Sequence, residues 1–235
     1  MNAGTSTSRR ALDAYDTLIE EHPQLVAGRA MRPIVIDRRQ REEFVARTGT
    51  LLGVVAENPY FYVVVDLVAR KGDDGTPLFT YVRVVQRKQL EGAPGVAIVA
   101  TIATSRLGTL GDIVVVRQER HATGRVEMEI PRGFGEPGEL SPDAALRELA
   151  EETGFVGTRP RALGSIGPDT GIQDGCVTIF HADVIDRVSP RNEHQEAIAD
   201  VSLISPAQLA GSIRDGICRD SFTVVALALF LGVNA

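Results

Sequence analysis

Three carboxylates, Glu148, Glu151 and Glu152, stand at i, i+3 and i+4 directly behind Arg147, and Glu139 precedes them by about two helical turns. At about 100° per residue, Arg147, Glu148, Glu151 and Glu152 fall on one side of a helix. Ala145, Leu146 and Leu149 fall on the other. Like charges at that spacing repel, so the patch costs stability unless something neutralises it. A solvated amphipathic face would account for the pattern by itself. The helix, however, follows RGFGEPGE (132–139), where Gly133, Gly135 and Gly138 permit close backbone approach and Pro137 stiffens the path. Hard oxygen donors beside such a loop suit Mg²⁺ or Mn²⁺ that must also hold a phosphate.

The elements that must position this cluster can be read from periodicity. Ser141 is a candidate cap, Pro142 and Asp143 suit the first turn, and Gly154 ends the helix 141–153. Ahead of it come β-branched and aromatic runs at 60–70 and 78–88, joined by GDDGTP, which predict a hairpin. Further strands are predicted at 95–104, 112–120 and 126–131, then at 159–166, 176–185 and 201–205. Helices are predicted at 9–21 (ended by Pro23), at 37–47 with Asp37 as cap, and at 206–214 and 220–231. Residues 1–8 are small and polar and read as a flexible tail. The result is an α+β fold: an extension over 9–92 and a main domain over 93–235.

Composition narrows the function. The 235 residues carry 25 Lys+Arg against 31 Asp+Glu, a net charge of −6, which argues against a broad basic face for nucleic acid. Hydrophobic residues make up 43%, enough for a packed core, although aromatics are only 5%. The longest apolar run, 222–233, falls short of the roughly twenty residues of a membrane span, and no stretch reads as an export signal. Cys176 and Cys218 have no metal-type spacing and read as buried, reduced thiols, so a cytoplasmic protein is expected.

The segment GFGEPGELSPDAALRELAEETGF (133–155) resembles the Nudix box, Gly-x5-Glu-x7-Arg-Glu-U-x-Glu-Glu-x-Gly-U, with U a bulky apolar residue. Gly133, Glu139, Arg147, Glu148, Leu149, Glu151, Glu152, Gly154 and Phe155 fill every specified position. The resemblance implies an α/β/α sandwich with a mixed sheet. It also implies Mg²⁺- or Mn²⁺-dependent hydrolysis of a nucleoside diphosphate linked to another moiety. Glu148 and Glu152 would be metal ligands, and Glu151 would ligate or hold a water. Arg147 would orient the carboxylates, with Glu139 and Gly133 in support, and the Arg132 carbonyl would complete the metal shell.

VVVRQERHATGR (114–125) and MEIPRG (128–133) resemble the ADP-ribose and nucleotide-sugar pyrophosphatase branch. That branch implies a small nucleotide-conjugate substrate and a homodimer formed through the N-terminal extension. Arg117 or Arg120 would reach a phosphate and Glu129 would contact substrate, against surface roles for each. Glu193 and Glu196, flanking His194, are candidate general bases, with Glu196 preferred. Two departures stand out. IGPDTGIQDG (166–175) lacks the Pro-Ser-Pro-Gly-like loop of the branch, and Arg132 replaces a small residue. A pathway-specific phosphohydrolase and a non-catalytic nucleotide sensor are therefore the alternatives.

Overall fold

The structure, a computed structural model, describes residues 3–29, 31–69, 77–189 and 197–233. Two compact units divide the chain. One comprises Met1–Leu90 with Asp169–Asp174, the other Glu91–Pro168 with Gly175–Ala235.

The first unit opens with α1 (Ala3–Glu21), which begins inside the stretch expected to be a tail. Residues 3–8 contain no proline, so a helix anchored further along propagates back through them. Leu12, Tyr15 and Leu18 form its buried stripe. A 3₁₀ turn follows at Pro23–Leu25. In α2 (Arg38–Thr48), Asp37 accepts the Gln40 amide at 2.8 Å, as its spacing predicts. The predicted hairpin is present as β2 (Phe61–Ala69) and β3 (Pro77–Gln86). It gains a partner that sequence reading missed, β1 (Gly53–Glu57), giving an antiparallel sheet in the order β1-β2-β3. A single turn, α3 (Arg87–Leu90), ends the unit's main stretch.

A polar network is buried in this unit. The Tyr15 hydroxyl donates to Asp66 Oδ1 at 2.5 Å, and Arg83 Nε donates to Asp66 Oδ2 at 2.5 Å. Residues 169–174 lie along β3. The Val84 amide donates to the Ile172 carbonyl at 2.7 Å, Tyr81 Oη donates to the Gly171 carbonyl, and Arg83 Nη1 meets Asp174 at 3.3 Å. Arg29, Arg32, Phe79, Tyr81 and Arg83 help line a cavity of about 710 Å³.

The second unit is built on a seven-stranded sheet. Its path runs β10 (Ile198–Ile204), β5 (Ile113–Arg120), β4 (Gly95–Ile102), β9 (Val177–Arg187), β8 (Phe155–Ile166). β6 (Arg125–Glu129) pairs with β5, and the short β7 (Arg132–Phe134) pairs with β4. Only β4 and β9 run parallel, so the sheet is mixed. Every residue of β4 is buried, because both of its faces are covered. Val96, Ile98, Ala100 and Ile102 pack with Ala144, Ala145 and Leu149 of α4 (Ser141–Thr153). Ala97 and Val99 face the other way. They pack with Leu209 of α5 (Pro206–Arg214) and with Ala226 and Leu227 of α6 (Ser221–Val233). This is the α/β/α sandwich that the resemblance implies, on the α+β pattern read from the residues.

Two local expectations need correction. Ser141 does not cap α4. Leu140 occupies the cap position with no side-chain bond, and its carbonyl accepts the Asp143 and Ala144 amides at 3.0 Å. Pro142 has no N–H to satisfy, which lightens the need for a polar cap. The start of RGFGEPGE is strand rather than loop, since Ala97, Val96 and Gly95 pair with Arg132, Gly133 and Phe134.

Candidate active site

α4 is anchored by its apolar stripe and ended by Gly154, whose left-handed φ of 74° closes the helix onto the Ala150 carbonyl. Anchoring fixes where its charged residues go. Glu148 is 7% exposed and Glu152 3%, so two of the three box carboxylates are buried rather than solvated. Gly133 in β7 lies directly against Glu148, and a Cβ there would sit 2.3 Å from Glu148 Oε2. The glycine is required by the close passage of that carboxylate.

Arg147 organises the cluster. Its Nη1 donates to Glu151 Oε2 at 2.6 Å and lies 3.0 Å from Glu148 Oε1. Its Nε and Nη2 each reach Glu139 at 3.1 Å, and Nη2 also donates to the Phe134 carbonyl. The Arg147 hydrogen bond holds the Glu139 carboxyl below its ordinary range, aided by the Glu136 amide. Among the described residues, no three His, Cys, Asp or Glu side chains gather into a ready-made metal cage. The donor chemistry nevertheless fits a hard divalent cation. Glu148 and Glu152 are buried carboxylates one turn apart, beside a backbone that only glycine allows so close.

A second cluster adjoins the first. Glu129, 1% exposed, is gripped by two arginines. Arg120 donates from Nε to Oε1 at 2.8 Å and from Nη2 to Oε2 at 2.6 Å. Arg132 donates to Oε2 from Nε at 3.1 Å and from Nη2 at 2.8 Å. Burial alone would raise the Glu129 pKa, but these two cations outweigh it and hold the pKa below the ordinary range. The Arg120 guanidinium is held protonated mainly by its bond to Glu129, and it also feels the charges of Asp220 and Glu152.

The structure thus brings together Glu139, Arg147, Glu148 and Glu151, and separately Arg120, Glu129 and Arg132, with Glu152 near both. Arg117 is exposed. It lies opposite Met128 and Asp200, on the face of β5 away from Gln118 and Arg120. Glu193, His194 and Glu196 lie outside the described residues. Sequence reading missed Asp220 and Thr223. Asp220 Oδ2 accepts the Thr223 amide at 2.9 Å and its hydroxyl at 2.8 Å, and Asp220 Oδ1 meets Arg132 Nη2 at 3.3 Å. An Asp three residues before a Thr at the start of an apolar run is a helix-start signal, but nothing in it names Arg132 as a partner.

Comparison with known proteins places the chain in a family. The family model for the NUDIX domain matches residues 93–221, more than half of the chain. An ADP-ribose pyrophosphatase of Bacillus subtilis is 34% identical over 86 residues, 37% of this chain and 46% of that protein. An ADP-sugar pyrophosphatase of Mus musculus is 39% identical over 66 residues, 28% of this chain and 30% of that protein. The chain thus spans less than half the length of these curated relatives. A crystal structure described as an ADP compounds hydrolase superposes with a TM-score of 0.60 at 20% identity, covering 76% of this chain and 89% of the other, which shows a common fold. With its box complete and its sandwich in place, the chain belongs to the Nudix family.

Proposed function

We propose that the protein hydrolyses the pyrophosphate of a nucleoside diphosphate linked to another moiety, with ADP-ribose first and nucleotide sugars next, releasing a nucleoside monophosphate and a sugar phosphate. The observation that carries this reading is the burial of Glu148 and Glu152 beside Gly133, next to the Arg120–Glu129 pair. Mg²⁺ or Mn²⁺ would be held by Glu148 and Glu152, with Glu151 and the Arg132 carbonyl as further ligands. The cation supplies charge neutralisation at the pyrophosphate and a more acidic water. Arg147 orients the carboxylates by ion pairing, with Glu139 and Gly133 in support. Arg120 presents a planar fork suited to a phosphate, held by Glu129, with Arg117 as the alternative. Glu196, or else Glu193, accepts the proton of the attacking water. Residues 93–235 act as the hydrolase domain and 9–92 as an extension that forms a homodimer, in a reducing compartment such as the cytoplasm. The sequences of two relatives named as acting on ADP-ribose and ADP-sugars support the substrate class.

A narrower substrate, a nucleotide intermediate of one biosynthetic route, is the second reading. It is favoured by the 169–174 segment, whose sequence departs from the branch and whose backbone is bound along β3. Incubation with ADP-ribose, ADP-glucose, NADH, dinucleoside polyphosphates and nucleoside triphosphates, with and without Mg²⁺, tests both. AMP and ribose 5-phosphate from ADP-ribose, lost on chelation, is the expected result. Metal-dependent cleavage of a different compound would move the substrate. Tight binding without turnover would favour a sensor.

A further inference from the structure

We propose that Asp220 is a positioning residue for the phosphate-binding arginine: it holds Arg132 against Glu129, and Glu129 in turn fixes Arg120. The inference rests on the pyrophosphatase reading above and adds to it a relay running back to the start of α6. Glu129 Oε2 receives bonds from both arginines, while Oε1 is bonded to Arg120. One buried carboxylate between two guanidiniums leaves a positive excess, and Asp220 Oδ1 balances it at Arg132. Arg132 is fixed on a further side, with its guanidinium carbon 4.4 Å from the centre of the Phe222 ring.

Asp220 itself is held firmly. Its Oδ2 accepts both Thr223 donors, capping α6. The fully buried Thr223 Oγ1 accepts the Ile130 amide at 2.9 Å. Both ends of the 130–132 segment are therefore tied to the first turn of α6, Ile130 through its backbone and Arg132 through its side chain. Arg120 lies at the far end of this relay, with a third of its side chain open to solvent. Small rotations of Glu129 move the Arg120 fork directly, because both of its bonds to Glu129 are side chain to side chain. Arg132 carries the relay, because its Nη2 meets both Glu129 and Asp220.

Asp220→Asn separates this role from helix capping, because Asn caps as well as Asp but presents no charge to Arg132. With the cleaved substrate at saturating Mg²⁺, the variant is expected to raise KM about tenfold while kcat stays within about threefold. Arg132→Ala should do the same, Arg132→Lys should recover part of the loss, and the Asp220→Asn/Arg132→Ala double variant should be no worse than Arg132→Ala alone. The ¹⁵N signal of Arg120 Nε, which reports its bond to Glu129 without any turnover, should shift in both single variants. Unchanged KM and an unchanged Arg120 signal in Asp220→Asn, or strictly additive losses in the double variant, would overturn the relay. A wild-type protein that cleaves no member of the substrate panel would overturn the ADP-ribose and nucleotide-sugar reading, and with it the phosphate-positioning role argued for those substrates. The Arg120 signal would then still decide whether the relay of side chains exists.

Discussion

Glu148 passes so close beneath Gly133 that a methyl group on that glycine would lie 2.3 Å from one carboxylate oxygen and 2.8 Å from the other. The obstruction would be met by the far end of a flexible side chain, not by backbone. Gly133→Ala is therefore expected to displace Glu148 rather than unfold the domain. Its thermal midpoint should stay within a few degrees of wild type, while activity falls more than about tenfold and the metal concentration for half-maximal rate rises. A large drop in midpoint with normal metal dependence would show that the glycine serves packing alone.

Glu152 is the most buried of the box carboxylates. Replacing Glu152 or Glu148 with Gln keeps shape and removes charge. Each variant should lose more than the roughly 10–100-fold typical of a residue that merely supports a metal ligand, with an unchanged circular dichroism spectrum. Titration of Mn²⁺ by electron paramagnetic resonance should show weakened binding in both. Near-normal turnover in either would remove it from the metal site.

Acid should loosen the second unit through its paired carboxylates. Arg147 lowers the Glu139 carboxyl below its ordinary value of 4.5. At Glu129 burial acts upward, but Arg120 and Arg132 prevail and the net shift is also downward. A depressed folded-state pKa contributes stability that is present above the ordinary value and is lost as pH falls through the folded one. Urea midpoints should thus be steady near neutrality and decline below about pH 4.5, and Glu139→Gln should flatten that decline. An identical acid limb in the variant would show that the pair contributes nothing to stability.

The chain's two cysteines should differ sharply in reactivity. Cys176 is exposed. Cys218 is buried, its thiol lies 3.3 Å from the Met128 carbonyl, and burial pushes it up to about 11. At pH 8, a thiol reagent should modify one cysteine per native chain, and both once the chain is unfolded. Rapid modification of Cys218 in the native protein would mean that the α6 side of the sheet opens readily.

In the first unit, Asp66 is shared by Tyr15 and Arg83, and all three are buried. Asp66→Ala leaves the Arg83 cation with its main partner gone, and should cost about 3–5 kcal/mol by chemical denaturation. Replacing Asp66 and Arg83 together with Leu and Met should cost far less, because no buried charge is then left uncompensated. Equal losses in the single and double variants would contradict this account.

Much of the fold was legible in the residues themselves. β4 announces itself as an unbroken apolar run because both of its faces are covered. α4 could be drawn from one apolar stripe and a terminal glycine, and the box spacing picked out the carboxylates because side chains on one face of a helix obey its periodicity. β1 was missed: it is only five residues long, and nothing local distinguishes GVVAE from a connecting segment until β2 supplies its partner. The burial of Glu148 was equally invisible, whereas Glu152, seven residues and so about 20° from Ala145 on the wheel, borders the apolar stripe. A helical wheel separates charged from apolar faces, but it cannot tell that β7 lies over the charged one.

The residues alone determined the helix carrying the carboxylates, the glycine before it and the family to which the chain belongs. The first two are set by dihedral preference and periodicity, and the third by the resemblance of residues 133–155 to the box motif. Only the tertiary structure decided that Arg120, and not Arg117, meets Glu129, since β5 alternates its faces and β6 is aligned with just one register. Only it joined Arg132 to Asp220 across 88 residues of sequence. Such pairings are fixed by the packing of α6 on the sheet, and burial then requires every charge left inside to find a partner, however distant along the chain.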